Sequence, residues 1–352
     1  MLPEAVLGEI DRGARLLRAG RLVAFPTETV YGLGANALDA DAVARIYAVK
    51  GRPATSPLIV HVASIEMAKS LVAHWPELAD RLARQFWPGP LTLVLDKALE
   101  KALDKALEKQ PAKQPDQRTE GQIEDVFEGQ IDSKYIIPAI VTAGLSTVAV
   151  RMPAHPIALA LIRAAGVPLA APSANRFTHL SPASADHVRR GLDGDVDLIL
   201  DGGACSVGIE STVLSLTEST PTLLRPGAVS RTELEAIVGP VNSVQEVPSG
   251  AHPAPGMHHR HYSPRTILYL AANGKLPKIG QGVYLQYEHP PSRADVTIRQ
   301  MPHSATDYAA ALYEALHQAD AAHYKWIAVD VPPSTPEWEA ILDRLKRAGS
   351  KG

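Results

Sequence analysis

Short apolar segments of strand composition recur along the chain and alternate irregularly with segments of helical periodicity. Examples of the strand-like runs are RLVAF (21–25), LIVHVA (58–63) and TVAVRM (147–152). Two others, STVLSL (211–216) and TLLRPG (222–227), follow each other with no helical pattern between them. Some strands are thus linked by helices, whereas others follow each other directly. This combination is typical of a mixed sheet covered by helices. The pattern therefore predicts an α/β fold with a mixed, twisted sheet flanked by helices.

The chain is too long for one compact core, and its composition changes after the last of these runs. Its 352 residues indicate two domains. Residues 240–265 are rich in Pro, Gly, His and Ser and have little apolar periodicity, which predicts a linker. Strand and helix patterns then resume. They predict a second, smaller Rossmann-like α/β domain over 266–352, after a larger domain over 1–239.

One segment of the larger domain differs in composition from its surroundings. A tract of Lys, Glu and Leu at 97–109 leads into a polar stretch rich in Pro, Gly and Gln. The tract is typical of a helix and the polar stretch of a mobile segment. We predict a surface insertion over about 98–138 that acts as a solvated spacer, with a partner-binding arm as the alternative.

The bulk composition excludes several classes of protein. The single cysteine, Cys205, excludes an internal disulfide and is expected to be a packed small residue. The N-terminal segment lacks the features of a signal peptide, and no apolar run is long enough to span a bilayer, so we expect a cytoplasmic protein with no membrane partner. Because the net charge is −3, anion binding must rest on locally placed cations.

The first candidate binding loop is FPTETVYGLG (25–34), which follows a predicted strand. Its glycines permit a tight turn and close approach of the backbone to a ligand, and its two hydroxyls, one of them on Thr29, and its one carboxylate offer oriented hydrogen bonds. The glycine spacing matches neither a Rossmann fingerprint nor a P-loop. By itself the loop could equally be a structural connection.

Lys50 and Arg52 form the second candidate. They lie at the end of a predicted helix, where cations often do no more than compensate the helix dipole. Here, however, Arg52 is followed by Pro53 and then by SPLIVH (56–61), a strand that carries His61. A guanidinium on a rigid turn is suited to bidentate contact with phosphate, and a lysine adds a point charge. His61 alone would more often be a core histidine.

Three further strand ends carry cationic or polar residues. Arg151 ends TVAVR, APSAN (171–175) follows the strand PLAA, and Arg225 ends TLLR. Ligands of α/β sheets gather at strand ends. In a net-acidic chain, the cations at these ends predict one pocket for a polyanion, and a triphosphate meets that requirement.

The linker contains PAPGMHHRHYSP (253–264). The histidines His258, His259 and His261 have no carboxylate or cysteine at ligand spacing, so we expect no metal bound by protein side chains. A segment that lays Arg260 and Tyr262 across the mouth of the pocket is the preferred interpretation.

At these motifs the chain resembles the YrdC family, in the long two-domain form of the threonylcarbamoyl-AMP synthases. The resemblance rests on FPTETVYGLGANA, K-x-R, SPLIVH, WPGPLT, TVAVRMPAHP, APSAN, GIESTV and LLRPG, in that order. It implies a YrdC-like catalytic domain and a nucleotidyltransferase that condenses L-threonine, bicarbonate and ATP, with Mg²⁺, to threonylcarbamoyl-AMP and pyrophosphate. It also implies a tRNA threonylcarbamoyl-transferase complex as the downstream partner, which modifies the adenosine beside the anticodon.

The resemblance implies a role for each matching residue. Lys50 and Arg52 would be catalytic. The ATP-binding residues would be Lys50, Arg52, Ser56, Thr147, Ser173, Asn175, Ser181 and Arg225. The threonine-binding residues would be Thr29, His61, Arg151, Ala171 and Ser211. Arg260, His261 and Tyr262 would form a lid. The insertion departs from the family pattern and leaves the local geometry near Thr147 open.

Two other functions are left open, the first by the residues themselves and the second because hydrogenase-maturation proteins share the YrdC fold. A positive concave surface could belong to an RNA-binding module, but only 5% of the residues are aromatic and the net charge is negative. A carbamoyl-transfer domain like those of hydrogenase-maturation proteins would use carbamoyl phosphate in place of threonine. Direct binding of tRNA is also left open.

Overall fold

The computed structural model of the protein describes residues 2–98, 136–244, 261–278 and 280–349. Most of the predicted insertion, most of the Lys/Glu/Leu tract and most of the predicted linker lie outside these ranges. The boundaries of the two domains stay predictions.

The first ten strands of the described residues form one sheet in the order β10-β9-β8-β4-β5-β3-β6-β2-β1-β7. Neighbouring strands pair in both senses: β3 with β5 and β4 with β8 are parallel, whereas β4 with β5 and β8 with β9 are antiparallel. The predicted mixed sheet is therefore confirmed. The strands are β1 (Val23–Phe25), β2 (Gly32–Asn36), β3 (Ile59–His61), β4 (Leu91–Asp96), β5 (Thr147–Arg151), β6 (Leu169–Ala170), β7 (Leu198–Ile199), β8 (Thr212–Ser215), β9 (Thr222–Arg225) and β10 (Asn242–Ser243).

Helices cover both faces of this sheet. On one face α1 and α6 pack together through Ile10, Leu17, Leu161 and Ile162, which are all fully buried. Burial of each such side chain stabilises the fold by about 1.5–3 kcal/mol. The helices of this domain are α1 (Glu4–Arg18), α2 (Ala40–Lys50), α3 (Ile65–Lys69), α4 (Glu77–Phe86), α5 (Ala139–Thr142), α6 (Pro156–Ala165), α7 (Ala185–Leu192) and α8 (Arg231–Val238).

The last part of the chain forms a second sheet, in which all the pairs are parallel and the order is β11-β14-β12-β13. Leu285 and Val329 of this sheet pack in one core with Leu312 and Ile341 from the covering helices. This is the smaller α/β unit that the sequence predicts. Its elements are β11 (Ile267–Ala271), β12 (Gly282–Gln286), β13 (Thr297–Gln300), α9 (Ala305–Ala321), β14 (Trp326–Asp330) and α10 (Glu339–Gly349), with 3₁₀ turns at Ala272–Gly274 and Pro336–Trp338. Among the described helices, none combines the length and the apolar character that a membrane span requires.

Candidate active site

Strand direction brings distant motifs to one edge of the large sheet. β3 and β5 are parallel, and their register sets His61 directly beside Arg151. β9 runs antiparallel to β8, so its last residue, Arg225, lies beside the start of β8, where Ser211 precedes the strand. One edge therefore collects side chains from the ends of some strands and from the beginnings of others.

A cavity opens at this edge of the sheet. Most of the predicted site residues line it. The predicted residues among its walls are Thr29, Arg52, His61, Arg151, Ala171, Ser173, Ser211, Arg225, His261 and Tyr262. Three arginines from separate parts of the chain thus face one hollow.

The end of α2 positions the cations of the K-x-R motif. Asp39 caps the start of the helix by accepting from the backbone N–H groups of Asp41 and Ala42, and Gly51 ends it in the left-handed conformation with φ of 62°. That conformation suits glycine because no Cβ clashes with the backbone. Lys50 and Arg52 therefore leave the turn on either side of Gly51.

Arg52 is held by the turn that follows it. Its guanidinium donates to the carbonyl oxygens of Ser56 (3.3 Å) and Pro57 (3.0 Å) and lies 5.8 Å from the centre of the Phe177 ring. Burial lowers its pKa to about 10, and the nearby charge of Arg225 acts in the same direction. Two buried cations held close to each other favour an anion between them.

Lys50 is buried beside the cavity and contacts the APSAN loop. Its ammonium group donates to the carbonyl oxygens of Ser173 (2.5 Å) and Asn175 (2.6 Å). Burial, with a smaller contribution from Arg52, holds the pKa of Lys50 well below its usual value. The side-chain amide of Asn175 in turn donates to the carbonyl oxygen of His179 at 2.8 Å. Lys50 and Asn175 therefore fix the backbone of the loop that carries Ser173.

Arg225 lines the cavity and contacts Ser211 in its wall. Its guanidinium donates to the carbonyl oxygen of Ser211 (2.9 and 3.1 Å) and to its hydroxyl (3.1 Å). That hydroxyl also lies 2.8 Å from the hydroxyl of Thr92. Burial lowers the pKa of Arg225 below its usual value. Ser211 is thus oriented by a strand neighbour and by a cation together.

Arg151 is paired with a residue that the sequence analysis did not single out. Its guanidinium lies 2.7 Å from a carboxylate oxygen of Glu28, and the two side chains are only 4% and 8% exposed. The other carboxylate oxygen of Glu28 accepts from the backbone N–H of Ala154 at 3.0 Å. Glu28 lies within the PTET motif, so its position in that motif was the available signal.

His61 is buried in the wall and is held neutral. Burial lowers its pKa to about 3, and the charge of Arg151 adds to the shift. Its ring meets the edge of Phe25 at 6.0 Å between centroids. Nδ1 of His61 is buried and makes no hydrogen bond within the described part of the chain. A neutral imidazole with one polar atom left over is suited to hydrogen-bond a ligand.

Two residues from the last part of the predicted linker motif line the cavity. His261 and Tyr262 are 5% and 1% exposed, and their rings lie 4.1 Å apart. Tyr262 has a φ of 60°, a backbone conformation that is uncommon for a bulky residue. Arg260, with His258 and His259, lies outside the described residues. Within the described ranges, no group of three or more His, Cys, Asp or Glu side chains could hold a metal ion.

Besides Lys50 and Asn175, three of the described site residues do not line the cavity themselves. Ser56 lies behind it and its backbone oxygen accepts from Arg52. The hydroxyl of Ser181 donates to Glu210 at 2.5 Å. Thr147 begins β5 and pairs with Asp96, so it lies about 13 Å along the strand from Arg151.

The cavity also has walls that the sequence analysis missed. These residues belong to motifs from which the sequence analysis selected other members. Their place in those motifs was therefore the signal that could have identified them. These residues are Thr27, Val30, Gly32, Ile59, Pro172 and Glu210.

Comparison with known proteins identifies the family. The model of the Sua5/YciO/YrdC family, which carries the description telomere recombination, matches residues 15–114 and 99–227. The model of the C-terminal domain of threonylcarbamoyl-AMP synthase matches residues 229–350. The chain belongs to this two-domain family. The resemblance stated from the motifs is thereby confirmed.

Individual relatives agree over nearly the whole chain. Threonylcarbamoyl-AMP synthase of Bacillus subtilis is 39% identical over 97% of this chain and 92% of its own. The protein of the same name from Schizosaccharomyces pombe is 34% identical over 99% of this chain and 90% of its own. A solved structure of Pyrococcus abyssi Sua5 complexed with L-threonine superposes with a TM-score of 0.80 at 35% identity, over 97% of this chain and 94% of that one.

Proposed function

We propose that the cavity binds ATP and L-threonine side by side and joins them through bicarbonate. The chain is an enzyme of the nucleotidyltransferase type, and its product is threonylcarbamoyl-AMP. The observation that carries the assignment of the site is the convergence of Arg52, Arg151 and Arg225 on one hollow that also presents Thr29 and His61. A triphosphate and an amino-acid carboxylate both require such cations.

We assign ATP to the side formed by the K-x-R turn, the APSAN loop and Arg225. Guanidinium groups that are already held by backbone carbonyl oxygens need little reorganisation when phosphates arrive, which favours the transition state. Lys50 contributes by holding the loop that presents Ser173. The direct roles of Ser56, Thr147, Asn175 and Ser181 stay predictions.

We assign threonine to the side formed by Arg151, His61, Thr29, Ser211 and the backbone of Ala171. Arg151 would receive the carboxylate of the amino acid, with Glu28 holding the guanidinium in place. His61, being neutral, would donate or accept a hydrogen bond without adding charge. The description of the Pyrococcus abyssi structure as a complex with L-threonine supports an amino-acid site in this fold.

The chemistry requires positioning and charge neutralisation. The amine of threonine combines with bicarbonate to give a carbamate and water. A carbamate oxygen then attacks the α-phosphorus of ATP, and the bond to the β-phosphate oxygen breaks, which releases pyrophosphate. No protein nucleophile takes part in this sequence, and holding the two reactants in line accounts for much of the acceleration.

Mg²⁺ would arrive with ATP. The carboxylates nearest the cavity, Glu28 and Glu210, are each paired with an arginine, so phosphate oxygens and water would supply most of the ligands. When bound, the ion neutralises charge on the phosphates. His261 and Tyr262 occupy space within the cavity walls, and we assign them, with Arg260, to a lid that opens for ATP and then excludes water.

We further propose that the product passes to a tRNA threonylcarbamoyl-transferase complex in the cytoplasm. An acyl phosphate mixed anhydride of this kind is labile in water, which favours consumption soon after release. Direct contact between this chain and tRNA is not required by the proposal.

The test is incubation of the full chain with ATP, Mg²⁺, bicarbonate and each amino acid in turn, followed by assay of pyrophosphate. Pyrophosphate that depends on both threonine and bicarbonate is the expected result. Release with carbamoyl phosphate in place of threonine would instead indicate a carbamoyl-transfer domain. Tight, strongly salt-dependent RNA binding without any pyrophosphate would indicate an RNA-binding module.

A further inference from the structure

The second domain reaches the wall of the cavity through one buried arginine. Arg344 on α10 places Nε 2.8 Å from a carboxylate oxygen of Glu210, and the two side chains are 1% and 8% exposed. Arg344 also donates to the carbonyl oxygens of Pro226 (2.9 Å) and Glu210 (3.4 Å). Its guanidinium lies 5.1 Å from the centre of the Tyr262 ring. A single side chain therefore touches the GIESTV motif, the LLRPG motif and the segment assigned to the lid.

Glu210 receives further hydrogen bonds from both domains. The hydroxyl of Tyr313 on α9 lies 3.0 and 3.2 Å from its two carboxylate oxygens, and the hydroxyl of Ser181 donates to one of them. Burial alone would raise the pKa of Glu210, but Arg344 and Arg225 hold it below its usual value. The group is therefore a charged carboxylate within the wall.

A charged carboxylate is out of place in a cavity for anions. Glu210 is the one acidic side chain among the described residues that line the cavity, and it directly precedes Ser211, which Arg225 contacts. Without a counter-charge it would repel the phosphates of ATP and attract the guanidinium of Arg225. Something must neutralise it if the cavity is to bind a triphosphate.

We propose that Arg344 is a positioning residue for the reaction: it neutralises Glu210 and so keeps this carboxylate from competing with ATP for Arg225. The inference rests on the proposed function, because it requires the ligand to be a polyanion. It also gives the second domain a part in the active site, since the first domain alone would carry Glu210 without its counter-charge.

The experiment compares full-length variants by steady-state kinetics of pyrophosphate release. For Arg344→Met we expect the KM for ATP to rise about tenfold or more, with a smaller fall in kcat. Adding Glu210→Gln to Arg344→Met removes the unpaired carboxylate, and we expect this double variant to recover most of the loss in KM. Arg344→Lys keeps the positive charge and should lie between Arg344→Met and the unchanged protein.

A matched control comes from the same helix. Lys346 lies two positions after Arg344 on α10, and its side chain is exposed. Arg347 is less suitable, because its partner Asp343 also pairs with Arg344 at 2.8 Å. Lys346→Met removes a positive charge from α10 and leaves the contacts of Glu210 in place, so its KM for ATP should change less than about twofold.

The double variant separates positioning from a purely structural role. If Arg344 served only to dock the second domain, the double variant would be as impaired as Arg344→Met, and that result would overturn the inference. Should Arg344→Met fail to fold, Tyr313→Phe removes one hydrogen bond from the same carboxylate and should raise the KM for ATP about threefold. An unchanged KM in Tyr313→Phe would then reject the inference. Absence of pyrophosphate from the unchanged protein would refute the proposed function itself, which is a distinguishable failure.

Discussion

The ammonium group of Lys50 lies 2.5 Å from the carbonyl oxygen of Ser173, and this contact joins the end of α2 to the loop after β6. The same group lies 2.6 Å from the carbonyl oxygen of Asn175. Lys50 is only 3% exposed, so these two oxygens have replaced water around its charge. The lysine therefore determines the shape of one wall of the cavity.

Replacing Lys50 by Met should cost both stability and activity. The change removes the lysine donor from the buried carbonyl oxygen of Asn175 and one of two donors from that of Ser173, which also accepts from the backbone N–H of Asn175. Loss of a donor to a buried acceptor costs about 1–3 kcal/mol. We expect denaturant unfolding to show a loss of about 3 kcal/mol, together with weaker ATP binding. Lys69→Met is a suitable control, because Lys69 is 46% exposed and its distance to Asp80 is 3.8 Å, so its stability should change by less than about 0.5 kcal/mol. Equal stability of the two variants would contradict this account of Lys50.

Arg52 is predicted to act through its planar, two-pronged guanidinium. Arg52→Ala should abolish product formation while the circular dichroism spectrum and the unfolding transition persist. Arg52→Lys keeps a charge but loses the fork, so the KM for ATP should rise about tenfold. Retention of full activity by Arg52→Ala would refute the role assigned to this residue.

Arg151 and Glu28 are expected to be strongly coupled. Arg151→Met leaves Glu28 buried without its partner, which should reduce the free energy of unfolding by about 3–5 kcal/mol. Adding Glu28→Gln should restore much of this stability. It should not restore the affinity for threonine, because the cation that we assign to the carboxylate is still missing. Calorimetric titration with threonine, alongside thermal unfolding, separates the two effects. Recovery of threonine affinity in the double variant would contradict the assignment.

The cationic residues that line the cavity could be predicted from the sequence, but the carboxylates that pair with them could not. Arg151 is recognisable because a strand pattern ends on it, and that pattern is local. Glu28 is separated from it by 123 positions, and only the fold brings the two together. The same holds for Glu210 and Arg344, which are 134 positions apart and belong to different domains. Periodicity reports which face or end of an element a residue occupies, whereas an ion pair depends on how elements are arranged in space.

Local signals also decided which helix boundaries could be predicted. Trp75-Pro76 lies between α3 and α4, as expected because a proline disfavours the helical conformation in the residue before it. The start of the last helix is different: a 3₁₀ turn occupies Pro336–Trp338 and α10 begins at Glu339. Proline at the first position permits either kind of helical turn, so the sequence alone did not distinguish them.

The stability of the protein should decline on mild acidification, partly because of His61. Its pKa is about 3 in the folded protein and 6.5 in the absence of structure. Between these values the unfolded chain binds a proton that the folded protein excludes, so stability falls as the pH falls from about 6.5 towards 3, by up to about 1.4 kcal/mol per pH unit. His61→Gln should flatten this dependence, as measured by urea unfolding from pH 7 to pH 4.5. His187, whose pKa is lowered by burial to about 3 as well, should remain as a second contribution in that variant. If the stability of His61→Gln depended on pH as steeply as that of the unchanged protein, the imidazole of His61 would be protonated in the folded protein over this pH range.

Gly227 is expected to be irreplaceable, because the LLRPG turn presses directly on the GIESTV backbone. A Cβ at this position would lie 2.2 Å from the amide nitrogen of Thr212 and 2.5 Å from the carbonyl carbon of Ser211. Backbone atoms cannot rotate away as a side chain can, so Gly227→Ala must move Arg225 relative to Ser211 or unfold the turn. We expect a loss of at least about 3 kcal/mol in the free energy of unfolding and little remaining pyrophosphate release. Gly191→Ala is the matched control: Gly191 lies in α7, and apart from its own helix and chain neighbours no atom lies within 4 Å of the added methyl. The change should leave stability equal or raise it by about 0.5–1 kcal/mol. If both variants were equally stable and active, the close approach of the two motifs would not be what holds Arg225 at the cavity.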